Sequence, residues 1–301
     1  MSRLSPAPQA TLVAFQGEPG AYANLAARVA LPHAIAVPRP SFEETIGAVR
    51  DREADLAIIP VENSLHGRIA DIHRLLPEAG LYIVGEHFHR VRHQLLGIKG
   101  AGLADIKTVL SQAPALGQCR KIVIERNLAV RSWHDTAGAA RHVAELRDPS
   151  VAAIASSLAA ELYGLDILKA DIEDESHNMT RFLIMAREPA HASQGAAPVV
   201  TSFIFRVRNV PAALYKALGG FATNGVNMTK LESYQLGGSF HATQFYADIE
   251  GHPEDQNVRL ALEELRFFTS KLAVLGVYPA HPFRTQTPED ENSYSAAMRT
   301  T

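Results

Sequence analysis

Short apolar runs alternate with stretches of helical period through the first half of the chain. Strands are expected at 12–15, 35–37 and 56–59, and helices at 22–30 and 41–50. The rhythm is βαβαβ, which predicts a parallel sheet because each crossover helix returns the chain alongside its preceding strand. Ser41 and Glu44 make a capping-box pair, and Phe42, Ile46 and Val49 recur on one face of the helix that they open.

Further strands are expected at 82–84, 108–110, 130–133 and 151–155, the last three each running into a helical stretch. They form a second α/β lobe. Between 188 and 198 the residues turn to Pro, Ala, Ser, Gln and Gly with little apolar periodicity, an interdomain linker. Beyond it the pattern reads strand 199–207, helix 212–223, strand 226–235, a Gly237-Gly238 turn, strand 240–249, helix 254–267 and strand 273–277. That βαββαβ order is the ferredoxin-like arrangement. The expected domains are therefore 11–187 and 199–280, and the polar, Pro-containing stretch 285–301 is expected to be a disordered tail.

The 301 residues suffice for about two domains with real cores. With 47% apolar and 20% charged residues and a net charge of −3, the chain has no basic surplus for nucleic acid or an anionic membrane, and neither partner is expected. A single cysteine, Cys119, excludes an internal disulfide and a thiolate metal cluster. No signal peptide or membrane-spanning apolar run is present in the sequence, so the expected compartment is the cytoplasm.

The candidate chemistry gathers where strands end. Glu62-Asn63-Ser64, Ser111-Gln112, Asp135-Thr136 and Ser156-Ser157 each follow an apolar run. Each is an ordinary helix cap taken alone. Together they predict a cleft for a small acid, since ligands of open α/β sheets bind beyond the carboxyl ends of the strands, where helix N-termini offer N–H groups to anions. Gly17-Glu18-Pro19-Gly20 is a weak fifth turn, and without G-x-G-x-x-G or G-K-[ST] no nucleotide site is expected. His87 and His89 share a strand face but lack a third ligand at a recognisable spacing, so no metal is expected. Cys119, some way into a helix starting near Pro114, and Trp133 are expected in the core.

Six segments, in order, resemble prephenate dehydratases: 15–21, 55–67 (DLAIIPVENSLHG), 111–119 (SQAPALGQC), 135–140 (DTAGAA), 153–165 and 178–182 (NMTRF). The resemblance implies a two-lobed fold similar to type II periplasmic binding proteins, with the active site between the lobes. It also implies a cofactor-free lyase that converts prephenate to phenylpyruvate, in which Thr180 of the Thr-Arg-Phe motif is catalytic. Aromatisation drives the loss of carbon dioxide and hydroxide, so the protein has two anions to hold and one departing hydroxyl to assist. Arg181 can clamp a carboxylate or pair with Asp171, Glu173 or Asp174. Asn63, Ser64, Ser111, Gln112, Thr136, Ser156 and Asn178 are the candidate substrate donors, with Phe182 beside them, and Glu62 is expected to orient Asn63 and Ser64.

Asn209-Val210-Pro211-Ala212-Ala213-Leu214, Phe221, Asn224-Gly225-Val226-Asn227 and Leu231-Glu232-Ser233 resemble an ACT domain, an amino-acid-sensing module. The resemblance implies phenylalanine as effector at Asn209, Ala212, Ala213, Leu214, Asn224, Glu232 and Ser233, and a homodimer or homotetramer. Two departures stand out: Ala212-Ala213-Leu214 replaces Gly-Ala-Leu, and Tyr234-Gln235 replaces Arg-Pro after Glu232-Ser233. Two rival readings are an arogenate dehydratase and a non-catalytic amino-acid-sensing protein.

Overall fold

A computed structural model describes residues 10–195, 198–235 and 242–285. The first stretch runs β1 (Leu12–Gln16), α1 (Tyr22–Ala30), β2 (Ile35–Arg39), α2 (Phe42–Arg50), β3 (Leu56–Asn63), β4 (Gly67–Arg68), α3 (Ala70–Leu75) and β5 (Tyr82–Arg90). It continues with β6 (Gln94–Gly97), β7 (Thr108–Ser111), α4 (Ala113–Gln118), α5 (Arg120–Glu125), β8 (Ala129–Ser132), α6 (Thr136–Leu146), β9 (Val151–Ala155), α7 (Ser157–Tyr163), β10 (Asp166–Lys169) and β11 (Met179–Ala186). Then follow β12 (Val199–Val207), α8 (Ala213–Thr223), β13 (Met228–Gln235), β14 (Ala242–Glu250), α9 (Gln256–Phe268) and β15 (Thr269–Pro279). No helix among the described residues is long and apolar enough to cross a membrane.

Two compact units emerge. The first holds the described residues up to Tyr82 together with His89–Glu188, and the second holds Ile83–Phe88 together with those from Pro189 onward. Within the first unit, β1, β2 and β3 pair in parallel as the sequence predicts. The purely parallel expectation fails at β11, which closes against β3 in the antiparallel sense. The sequence reading did not foresee β6, β10 or β11. β3 also runs past its apolar stretch to Asn63, so Glu62 and Asn63 belong to a strand and not to a helix cap.

α2 forms as its sequence dictates: Ser41 Oγ accepts from Glu44 N at 3.1 Å, while Ile46 and Val49 are buried. The first lobe's core joins Val13, Phe15 and Ile58 of the sheet to Ala23, Ala26 and Ala27 of α1 and to Phe182.

The second lobe is a sheet in the order β10-β6-β9-β7-β8, with β7 parallel to β8 and β9, and β6 antiparallel to β9. Both faces are covered. Leu95 and Val109 pack on one side with α4 and α5, and their neighbours Leu96 and Leu110 on the other with α6 and α7. This double burial explains the unbroken apolar run of β9. Cys119 lies at the break between α4 and α5, not inside one helix, and is fully buried. Burial, and then the carboxylates of Asp174 and Glu173, push its thiol well up. We expect no reaction of native Cys119 with a thiol-specific disulfide reagent, and stoichiometric reaction after denaturation; rapid native labelling would contradict the burial.

The second unit has the expected βαββαβ order, with sheet order β13-β14-β12-β15 and every pairing among these four strands antiparallel. Phe203, Phe205, Phe221 and Phe245 fill its core between the sheet and the helices α8 and α9. Its surprise is β5. Gly276 of β15 pairs with Ile83, and a Cβ on Gly276 would collide with the Ile83 carbonyl, so only glycine allows the approach. Glu86 of the same segment is clamped by Arg284, with Nε 2.6 Å from one carboxylate oxygen and Nη2 2.9 Å from the other. The linker is anchored through Ala192 N, which donates to Val277 O at 2.9 Å. The expected Gly237-Gly238 turn, the start of the strand expected at 240–249 and the tail expected at 285–301 lie outside the described residues, apart from positions 242–249 and 285.

Candidate active site

The register of β11 on β3 sets Thr180 opposite Asn63 and Arg181 opposite Glu62. Asn63 Oδ1 accepts from the backbone N–H of Leu65 at 3.0 Å and of His66 at 3.1 Å. Those two donors fix which end of the amide is oxygen, so the other end must donate. Asn63 Nδ2 reaches Asn178 Oδ1 at 2.7 Å and Thr180 Oγ1 at 3.0 Å. Thr180 accepts here, which leaves its own proton for another partner.

Thr180, Asn63 and Asn178 line a cleft of about 360 Å³, with Phe182 beside them. Gln112 and Thr136 come to the same cleft from the second lobe. Gln112 is the N-cap of α4 and Thr136 the first residue of α6. Asp135 caps α6 by accepting from Gly138 N at 2.6 Å, so the N–H groups of Thr136 and Ala137 keep no intrahelical acceptor. Among the described residues that line the cleft there is no lysine or arginine.

Four expected substrate contacts do not reach it. Ser64 Oγ donates to His177 O at 2.8 Å and accepts from Met179 N at 2.9 Å, which stitches β3 to β11. Ser111 is buried and donates to Ile154 O at 2.6 Å. Ser156 caps α7 and donates to Gly20 O at 2.6 Å; Gly20 has a φ of +90° and so little space that a Cβ would sit 2.9 Å from Ala159 Cα. These hydroxyls satisfy backbone groups that burial would otherwise leave unpaired. Arg181 is buried against Glu62 at 3.0 Å, not against Asp171, Glu173 or Asp174. Alternation along β11 turns it away from the face that carries Thr180, and it joins two strands where a carboxylate clamp was expected. Glu62 accordingly pairs with Arg181 instead of orienting Asn63 and Ser64.

Sequence reasoning missed Tyr22, His66, His93, Gln118 and His134, all of which line the cleft. Gln118 lies within SQAPALGQC and His66 within DLAIIPVENSLHG, both without an assigned role, and Tyr22, His93 and His134 carry no local signal; the fold alone assembles them. Tyr22 OH stands 2.7 Å from His93 Nδ1, and His93 Nε2 stands 2.6 Å from Gln118 Oε1. Burial lowers the His93 imidazole from its ordinary range, partly opposed by Gln118 and Glu173, so the ring is neutral at pH 7. Burial likewise holds the Tyr22 phenol protonated. At the cleft's edge Glu18, His134 and Asp135 bring three ligand-type atoms within 4.8 Å of one another, but Glu18 is engaged by Arg141 at 2.8 Å and Asp135 by α6. Among the described residues, His87 and His89 belong to no such cluster.

In the second unit Ala212 adopts φ 60°, ψ 12° as the N-cap of α8, so the helix begins one residue later than expected, at Ala213. Asn209 and Ala212 are exposed, whereas Ala213 and Leu214 pack against the core. Asn224 caps the opposite end of the 11-residue helix α8 through Gly220 O at 2.8 Å, roughly 18 Å from Ala212 at about 1.5 Å per residue. Glu232 sits 3.4 Å from Lys230, and its neighbour Ser233 faces the other side of β13. Ala212 and Asn224 thus mark opposite ends of α8, and Glu232 and Ser233 opposite faces of β13.

Residues 13–190 match the sequence profile of the family described as prephenate dehydratase. A bifunctional N-acyl-homoserine lactone acylase/prephenate dehydratase of Komagataeibacter europaeus is 54% identical over 273 residues, spanning 91% of this chain and 97% of that protein. Arogenate dehydratase 2 of Petunia hybrida is 39% identical over 282 residues, spanning 89% and 71%. Among solved structures, a prephenate dehydratase from Arthrobacter aurescens in complex with L-Phe superposes with a TM-score of 0.82 at 28% identity, covering 96% and 98%.

Proposed function

Because the chain belongs to the prephenate dehydratase family, lyases that turn prephenate into phenylpyruvate, we propose that Thr180 performs the proton transfer of that reaction from the cleft between the lobes. The observation that carries this is the bond from Asn63 Nδ2 to Thr180 Oγ1, which makes Thr180 an acceptor and frees its proton. As the carbon–carbon bond to the ring carboxylate breaks, its electron pair enters the ring and the ring carbon–oxygen bond breaks. The departing hydroxyl takes the Thr180 proton and leaves as water, and solvent reprotonates Thr180. An aliphatic alcohol is too weak an acid to ionise ahead of bond cleavage, so donation accompanies C–O breakage.

The substrate's carboxylates would meet neutral donors: Gln112, Thr136 and the free N–H groups that begin α6. No cofactor enters this scheme. Release of phenylpyruvate from prephenate, with arogenate assayed beside it, tests the reading; an enzyme active on arogenate alone would replace the substrate.

The βαββαβ unit is read as an ACT domain that binds phenylalanine between copies of the chain in a dimer or tetramer, in the cytoplasm. The separation of Ala212 from Asn224 supports a site shared by two chains. Ala212 now has a physical handicap, since the left-handed conformation costs an L-residue about 1–2 kcal/mol. Glycine would lose some of that gain, about 0.4–1 kcal/mol, to its freer unfolded state. We expect Ala212→Gly to raise stability by up to about 1.5 kcal/mol and to tighten phenylalanine binding by about 0.5–1.5 kcal/mol, the scale of one improved hydrogen bond. Thermal unfolding with calorimetric titration checks both, and unchanged affinity would remove position 212 from the effector site.

A further inference from the structure

Gln118 is the last residue of α4, in the second lobe, yet its amide is bonded to residues attached to the first. Asn178 Nδ2 donates to its Oε1 at 3.0 Å, and its Nε2 stands 2.6 Å from His66 Nε2. Asn178 leads into β11, and His66 lies in the turn between β3 and β4.

The direction of every bond in this chain follows from one end. Leu65 and His66 N–H fix Asn63 Oδ1, so Asn63 Nδ2 donates to Asn178 Oδ1. Asn178 must then present Nδ2 to Gln118, which fixes Oε1 as the acceptor and Nε2 as the donor to His66. Oε1 also faces His93 Nε2, so neutral His93 carries its proton there and accepts from Tyr22 OH through Nδ1. Only one assignment satisfies all these contacts.

We propose that Gln118 is a positioning residue for the dehydration: from the second lobe it holds the Asn178 amide in the one orientation that lets Asn63 donate to Thr180 and so keeps the Thr180 proton aimed at the leaving hydroxyl. Without the Oε1 acceptor, Asn178 is free to rotate its NH₂ toward Asn63. Two donors would then face each other, and Asn63 would shift off Thr180. The inference rests on Thr180 as the proton donor, and its test separates the two.

Four full-length proteins are compared in prephenate turnover: parent, Gln118→Met, Thr180→Ala and the double variant. Methionine keeps the length and volume of glutamine without its hydrogen bonds. Acting through Thr180, Gln118→Met should lower kcat about 10-fold or more in the parent and less than about 2-fold in the Thr180→Ala background, since coupled residues are non-additive. Equal fold-losses in both backgrounds would mean that Gln118 acts independently, and would overturn the proposal. An inactive Thr180→Ala beside an unimpaired Gln118→Met would overturn this proposal alone, and an active Thr180→Ala would overturn both readings. Gln118→Leu serves if the methionine variant does not fold: it too lacks the Oε1 acceptor, so kcat should fall about 10-fold or more in the parent background, and an unimpaired kcat would overturn the proposal.

Discussion

Thr180→Ala is expected to fold as its parent does and to lose turnover by about 10²–10⁴, the range for removing a positioned proton donor. Folding should survive because Asn63 Nδ2 keeps Asn178 Oδ1 at 2.7 Å and Met179 O at 3.2 Å when the threonine oxygen is gone. Catalysis should not. No other hydroxyl or cationic group of the cleft shares the bond from Asn63 that aims this proton. Thr180→Ser, which keeps the oxygen, should recover most of the rate. Steady-state kinetics beside thermal melts of the three proteins decides the matter: an alanine variant above half of parental kcat would exclude Thr180 from the proton transfer.

A fragment ending at Glu188 is expected to be catalytic but poorly stable, although composition alone suggested two independent domains. Every cleft residue remains in it, since all belong to the first unit. What it loses is the packing of Ile83–Phe88, which sits with the second unit while its chain neighbours Tyr82 and His89 do not. Ile83 is 1% exposed in the full chain. Baring that side chain alone forfeits about 1.5–3 kcal/mol, and Phe88, which stacks near Phe283 at 4.9 Å, adds a second apolar surface that favours aggregation. We expect kcat per folded molecule within about 3-fold of the parent, a lower melting temperature, and better yield when Ile83→Thr and Phe88→Ser are introduced. A fragment shown by circular dichroism to be folded yet inactive would mean that catalysis needs the second unit.

Helices and strands with local signatures were readable in advance. α2 carries its own cap in Ser41, and the ferredoxin-like order follows from alternating periods in the C-terminal third. β11 escaped because its partner β3 lies more than a hundred residues away and its sequence, MTRFLIMA, shows no alternation. Together with β4, also antiparallel to β3, it makes the first sheet mixed. The same distance effect governs the site. Ser111 and Ser156 look like ligand donors in sequence, and only the fold reveals the carbonyls of Ile154 and Gly20 that take their protons. Gln118 and His93 look like nothing until three segments meet.

The placement of β11 also bears on how the protein is made. The second lobe, from β6 to β10, is nested between β3 and its partner, so its contacts are complete while the first sheet still lacks a strand. At about 5–20 residues per second, β3 waits roughly 6–25 s on the ribosome for β11 to be synthesised, with one edge of strand Leu56–Asn63 open. Such an edge invites pairing with other chains. A chaperone that shields nascent strands would therefore find its longest task in the first lobe, although that lobe is the first to emerge.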